Sequence, residues 1–282
     1  MSAISVHSSV PTARLSFAGI LRSEWIKLFS LRSTVWCYVI IVAVTIGLGV
    51  LLAFTLQPGG TLDHAGQQNV ALQAATLSVG FSQLVSSVLG ALVITGEYGT
   101  GMIRSTLTAV PKRLPALTAK ILVLGLTTFV VSLVAMIITA LITAPVLSGV
   151  GVHPDFGDSA YLLAILGAAG YLALIGILSL AIGAIVRNSA GGIAAALGLI
   201  LVVPIVLRIL VGVTRAEWAQ NVGAFLPDSA GGRMYAYTAG VVAQAGSPDA
   251  IVLDPWQGAL VLVAWVVVLL VIASVLLKRR DA

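Results

Sequence analysis

Charge is what this sequence has least of. Only 9% of its 282 residues are Asp, Glu, Lys or Arg, against about 25% in ordinary soluble domains. No stretch is polar enough to build a soluble domain that could hold a nucleic acid, so the net charge of +5 has to come from something else. Cysteine is nearly absent: Cys37 stands alone, which excludes an intramolecular disulfide and leaves no thiol pair for a metal. The three histidines, His7, His64 and His153, all fall in polar connecting segments. The sequence has no G-x-x-x-x-G-K-[ST] nucleotide loop, no H-E-x-x-H and no G-x-S-x-G. Serines without a neighbouring base are poor nucleophiles, so nothing here argues for an enzyme or for a cofactor held on this chain.

Apolar residues are what it has most of, at 59%, and they are gathered into long runs. A bilayer core needs roughly 20 apolar residues per helix. Six stretches reach that length: 35–56, 74–95, 121–147, 161–186, 191–211 and 256–277. A transmembrane barrel would instead alternate over segments of about 10 residues. The expected fold is an all-α polytopic membrane protein, because a helix satisfies its own backbone hydrogen bonds in lipid.

Basic residues set the orientation. With the amino terminus inside, all 15 Lys and Arg except Arg208, Arg215 and Arg233 fall on cytoplasmic segments. The acids do the reverse: of 10, only Glu24, Glu97 and Asp281 are not on the outer side. A multi-pass protein of the plasma membrane with both termini in the cytoplasm follows. No carboxylate lies within any span. Proton- or sodium-coupled carriers usually keep ionisable groups there, so the energy for any uphill transport would come from outside the chain.

Between the spans the segments differ in kind. Residues 1–14 read as a disordered tail and 278–282 as a short basic tail. In 15–34, Phe17, Leu21, Trp25, Leu28 and Phe29 share one helical arc, while Ser16, Ser23, Lys27 and Ser30 share the other. That is an amphipathic interfacial helix, with Trp25 at headgroup level and Lys27 on the polar side. Residues 57–73 read as a plain outer connection. The long outer segment 212–255 mixes apolar runs with turn signals and reads as one or two short helices.

Some spans carry polar residues on one face. Ser78, Ser82, Gln83 and Ser86 form such a face in the second span; Thr139 and Thr143 belong to a similar stripe in the third. These side chains could line a mildly polar translocation path or simply join helices. Gly191, Gly192, Ala194, Ala195, Ala196 and Gly198 form overlapping small-xxx-small pairs that let backbones approach. Pro204 would loosen the fifth span. Arg208, the only charge in a span, could snorkel to the headgroups or act as an outer gate. The inner connection 96–120 is long and basic. In it, Thr100 is a candidate helix N-cap and Pro111 a stop, with a short helix between them.

Three motifs resemble the permease subunit of a type-2 ATP-binding-cassette (ABC) transporter of the exporter-like class. They are Leu21-Arg22-Ser23-Glu24-Trp25-Ile26-Lys27-Leu28 before the first span, Glu97-Tyr98-Gly99-Thr100-Gly101-Met102-Ile103-Arg104-Ser105-Thr106-Leu107, and the tight turn Val186-Arg187-Asn188-Ser189-Ala190-Gly191. Where Gly99-Thr100-Gly101-Met102 stands, the family more often has a basic residue and then Gly-Thr. The resemblance implies a coupling helix at about 100–110 that docks on a separate ABC ATPase. Glu97, Tyr98, Thr100, Met102, Ile103, Arg104 and Leu107 are its candidate coupling residues. It implies that ATP and Mg are bound by that partner chain. It also implies a dimer with a second permease copy or paralogue, whose central path is lined largely by the second and fifth spans and carries a drug, peptide or lipid. A membrane receptor or scaffold that regulates a partner is the alternative from another class.

Overall fold

The computed structural model describes residues 16–57, 60, 62–102, 114–237 and 251–280. The tail 1–14, most of the connection after Met102, including Ile103, Arg104 and Leu107, and the stretch 238–250 lie outside the described residues. Among the described residues there is no strand. Six helices are long and apolar enough to cross a membrane: Arg32–Thr55, His64–Gly99, Leu114–Ser148, Ser159–Val186, Ser189–Thr214 and Pro255–Leu277. The last continues as helix to Arg280. We call these six the first to sixth spans.

An amino-terminal helix, Phe17–Ser30, precedes them. Its cap is Ser16, whose side chain accepts a hydrogen bond from the Gly19 backbone N–H. It ends because Leu31 turns extended, at φ −86° and ψ 119°, and the first span starts at Arg32. Trp25 and Phe29, both on the open face, meet at a tilt of 48° with ring centroids 4.8 Å apart. Leu28 and Glu24 are buried, on the face turned toward the third span.

The second span is longer than its apolar run. The outer segment read as a plain loop is helical from His64, because Asp63 caps the Gly66 N–H and the residues after it are helix formers. The helix breaks its regular pattern at Leu77–Ser78 and resumes at Val79. The fourth span is the hub of the bundle: 72% of its apolar window is buried, against 17% in the fifth and 22% in the sixth. Its closest partner is the second span. An added Cβ at Gly90 would overlap the Gly176 carbonyl, so only glycine lets the two backbones meet. Ser86 Oγ donates to the Leu172 carbonyl at 2.8 Å, and the hydroxyls of Ser87 and Ser179 lie 2.8 Å apart. The serines therefore act as internal hydrogen bonds at a close helix crossing.

The inner turn between the fourth and fifth spans is tight because both of its ends are capped. Arg187 takes the left-handed conformation, at φ 61°, and closes the fourth span. Asn188 Oδ1 accepts from the Gly191 N–H and opens the fifth. The fifth span widens into a π segment at Gly198–Val202 before Pro204. A proline in a helix leaves the carbonyl four residues back without its donor, and the wider turn takes up the mismatch. Of the small residues expected to permit close packing there, Gly192 does so, with a Cβ position 3.3 Å from Gly183 Cα; Gly198 meets nothing within 4 Å.

The outer segment forms two short helices, Glu217–Ala224 and Pro227–Gly232, then a 3-10 turn at Arg233–Tyr235. Gly258 makes room for the Ala230 carbonyl, so the second short helix sits against the top of the sixth span. Tyr237 Oη donates to Asp158 Oδ2 at 2.7 Å. That bond holds the Asp158 carboxyl below its usual range and pushes the Tyr237 phenol up to about 12.

Replacing Gly90 by Val should lower stability in detergent by about 1–3 kcal/mol, the usual cost of overpacking. Thermal unfolding of the purified protein checks this, with Gly80→Val, which faces open space, as the control.

Candidate functional site

Two polar clusters stand out in an otherwise apolar bundle, one at each end. The first lies where the amino-terminal helix crosses the roots of the 96–120 connection. Glu24 comes from that helix, Glu97 from the last turns of the second span and Lys120 from the second turn of the third. All three are buried, at 4%, 4% and 5% exposure. Lys120 Nζ lies 2.5 Å from Glu24 Oε2 and 2.9 Å from Glu97 Oε1. Lys27 joins from the other side, 2.7 Å from Glu24 Oε1 and 3.2 Å from Glu97 Oε1. Partial burial works against the Lys27 charge, but its bonds and Coulomb attraction to Glu24 and Glu97 outweigh that and hold its pKa above the ordinary lysine value.

Two carboxylates and two ammonium groups make this quartet neutral. Buried charges survive only when paired and hydrogen-bonded, so each member needs the other elements in place. The ion pairs tie the amino-terminal helix to both ends of the 96–120 connection. Beside it, Tyr98 lies under the Arg187 guanidinium, with Cζ 5.3 Å from the ring centroid, and Arg187 Nη2 donates to the Leu276 carbonyl of the sixth span at 3.2 Å. The third sequence motif is thereby tied to the second.

Of the candidate coupling residues, Glu97, Tyr98, Thr100 and Met102 are described. Thr100, expected to start the next helix, closes the preceding one instead: its Oγ1 donates to the Gly96 carbonyl at 2.9 Å, the nearest acceptor left open at a helix end. Met102 is 38% exposed. Lys27, expected on the polar side of an interfacial helix, is in the ion cluster, while Trp25 is exposed as a headgroup anchor would be. Glu24 and Lys120 are not among the residues that the sequence points to as a site. The signal it does hold is that Glu24 and Glu97 are the two acids before Asp281 that fall among the basic segments, with Lys27 three residues after Glu24.

The second cluster lies at the outer end. Arg208 Nη2 binds Asp228 Oδ2 at 2.7 Å, and Gln83 Nε2 donates to Asp228 Oδ1 at 3.2 Å. Tyr171 Oη in turn donates to Gln83 Oε1. Arg208 is thus held by an acid from the short outer helix rather than by headgroups alone. Asp228 joins the second and fifth spans through one carboxylate and reaches the fourth through Gln83, and nothing in the sequence marks it out from the other acids. The polar face of the second span is turned inward. Ser78, Ser82, Gln83 and Ser86 are all nearly inaccessible, as are Thr139 and Thr143. Ser82 Oγ lies 3.3 Å from Thr45 Oγ1 of the first span. Thr139 and Thr143 donate to the carbonyls of Ala135 and Ala140 in their own helix.

Six helices long and apolar enough to span a membrane, preceded by an amino-terminal helix, define an all-α polytopic membrane protein. The chain matches the profile of the ABC-2 family transporter proteins over residues 54–275, and it belongs to that family. No curated protein matches it.

Lys120→Met should destabilise the fold by about 3–5 kcal/mol, because two buried carboxylates then share one lysine. Adding Glu97→Leu to it should recover much of that loss. Melting temperatures of the two single variants and the double variant give the coupling directly.

Proposed function

We propose that this chain is the permease subunit of an ATP-driven exporter and moves a hydrophobic or amphipathic cargo: a drug, a peptide or a lipid. Family membership supports the permease role. The observation that carries the power-stroke reading is the Glu24–Lys27–Glu97–Lys120 quartet. It makes the interfacial helix and both roots of the 96–120 connection move together. A force applied to that connection would therefore reach the second and third spans with little lost to slack.

In this reading the connection faces the cytoplasm and its residues Met102, Ile103, Arg104 and Leu107 meet a separate ABC ATPase. That partner binds ATP and Mg and closes on them. Two permease copies, or this chain and a paralogue, meet across the membrane. The fifth span offers the least covered apolar surface, including Val202, Val206 and Ile209, and a second copy would cover it. Apolar runs without carboxylates favour an apolar cargo over a small ion. The polar faces headed by Ser78, Ser82, Gln83, Ser86, Thr139 and Thr143 are closed against neighbouring spans in this state. A role in lining the path therefore belongs to a state in which the second span has parted from the first. The Arg208–Asp228 pair is the bond that would then exchange at the outer end.

Arg104→Asp with Leu107→Asp should leave membrane insertion intact while the ATPase no longer copurifies and transport is lost. Unchanged copurification and transport would refute the coupling role. Independently, Ser105→Cys in a Cys37→Ala background should react with a membrane-impermeant thiol reagent only after the cells are opened. Labelling of intact cells would place the connection outside, away from any ATPase.

A further inference from the structure

Beside the ion quartet lies a pocket of about 330 Å³. Its polar rim is Ser30, Ser33 and Thr100; its inner walls are Leu28, Leu92, Val93 and Val123. Leu92 and Val93 sit four to five residues before Glu97, so the apolar end runs about 6–7 Å deeper along the helix. Charge stands at the surface end and hydrocarbon at the membrane end. That is the order of parts in one amphiphile standing in a leaflet.

The quartet leaves one group unsatisfied. Glu97 Oε1 takes both lysines, but Glu97 Oε2 finds no hydrogen-bond partner among the described residues. A buried carboxylate oxygen without a donor costs more than an ordinary missing hydrogen bond, and native structures keep such atoms where a further partner or a function requires them. Glu97 lines the pocket, and its terminal torsion is soft, so a turn of the carboxylate that Lys27 and Lys120 follow brings the enclosed Oε2 to a ligand. The missing group is a donor. Because the quartet is already neutral, a ligand with net charge would unbalance it, whereas a zwitterion would not.

We infer that this pocket holds a membrane phospholipid with a primary ammonium headgroup, phosphatidylethanolamine being the chemical type. Its ammonium donates to Glu97 Oε2, and one acyl chain lies along Leu92, Val93 and Val123. The lipid wedges between the amino-terminal helix and the second span and sets the angle between them. This site does not depend on the direction of transport or on the identity of the cargo.

Gly96 supplies the test. It lines the pocket, and a Cβ built on it meets nothing within 4 Å. Gly96→Met therefore puts a side chain into the pocket while leaving the four charged residues unsubstituted. The full chain, purified in detergent, is incubated with phosphatidylethanolamine, phosphatidylcholine, phosphatidylglycerol or dodecylammonium, and bound molecules are counted by native mass spectrometry. Phosphatidylethanolamine should be retained at least tenfold more than phosphatidylcholine, whose trimethylated head has no N–H, and more than anionic phosphatidylglycerol. Gly96→Met should abolish that preference with an unchanged melting temperature in lipid-free detergent. Equal retention of the three lipids by the wild-type chain would overturn the proposal, whatever the variant does. So would undiminished retention by Gly96→Met. Retention of dodecylammonium without phosphatidylethanolamine would assign the pocket to an amine-bearing cargo and overturn it as well.

Discussion

Hydrocarbon offers no hydrogen bonds, and the rest of this structure follows from that constraint. Each polar group in the spans has to find its partner within the chain or lose several kcal/mol. The second span meets the demand by facing its hydroxyls inward: Ser82 toward Thr45, Ser86 to a carbonyl of the fourth span, Ser87 to Ser179. Those bonds require short distances between helix axes, and Gly90 over Gly176 provides them. Apolar side chains such as Phe81 and Leu126 are left on the lipid side.

The same constraint explains where charge is kept. It gathers at the two ends of the bundle, in arrangements that cancel. At one end two lysines meet two glutamates; at the other Arg208 meets Asp228. Neither cluster belongs to a single span. Each draws on three or more separate elements, so a shift in one helix is felt by the others through bonds that are costly to break. A transporter needs its helices to move in concert, and clusters of this kind give a bundle with little polar surface a means of doing so. The π segment before Pro204 has a complementary effect, since it gives the fifth span a local irregularity of its own.

Legibility varies from residue to residue. The six spans can be read because an apolar run of about 20 residues is the length that a bilayer demands and a soluble core rarely does. The amino-terminal helix can be read because its aromatic residues keep helical spacing. The outer helix from His64 is hidden: Gln67, Gln68 and Asn69 make it polar, and polarity reads as loop when only hydropathy is followed. Thr100 reads as the start of the following helix, since capping residues look alike from either side until the backbone is seen. The second span's serine stripe is visible, but periodicity gives a face and not what the face meets.

By itself the sequence determined the class of solvent, the number of crossings, the all-α fold and the likeness to an ABC permease. Those depend on composition and local order along the chain. Only the tertiary structure decided that Glu24, Lys27, Glu97 and Lys120 converge, that Asp228 secures Arg208, and that the polar stripes close against neighbouring spans. These are contacts between residues up to 145 positions apart, and their partners are chosen by helix packing, to which the spacing of residues along the chain gives no direct clue.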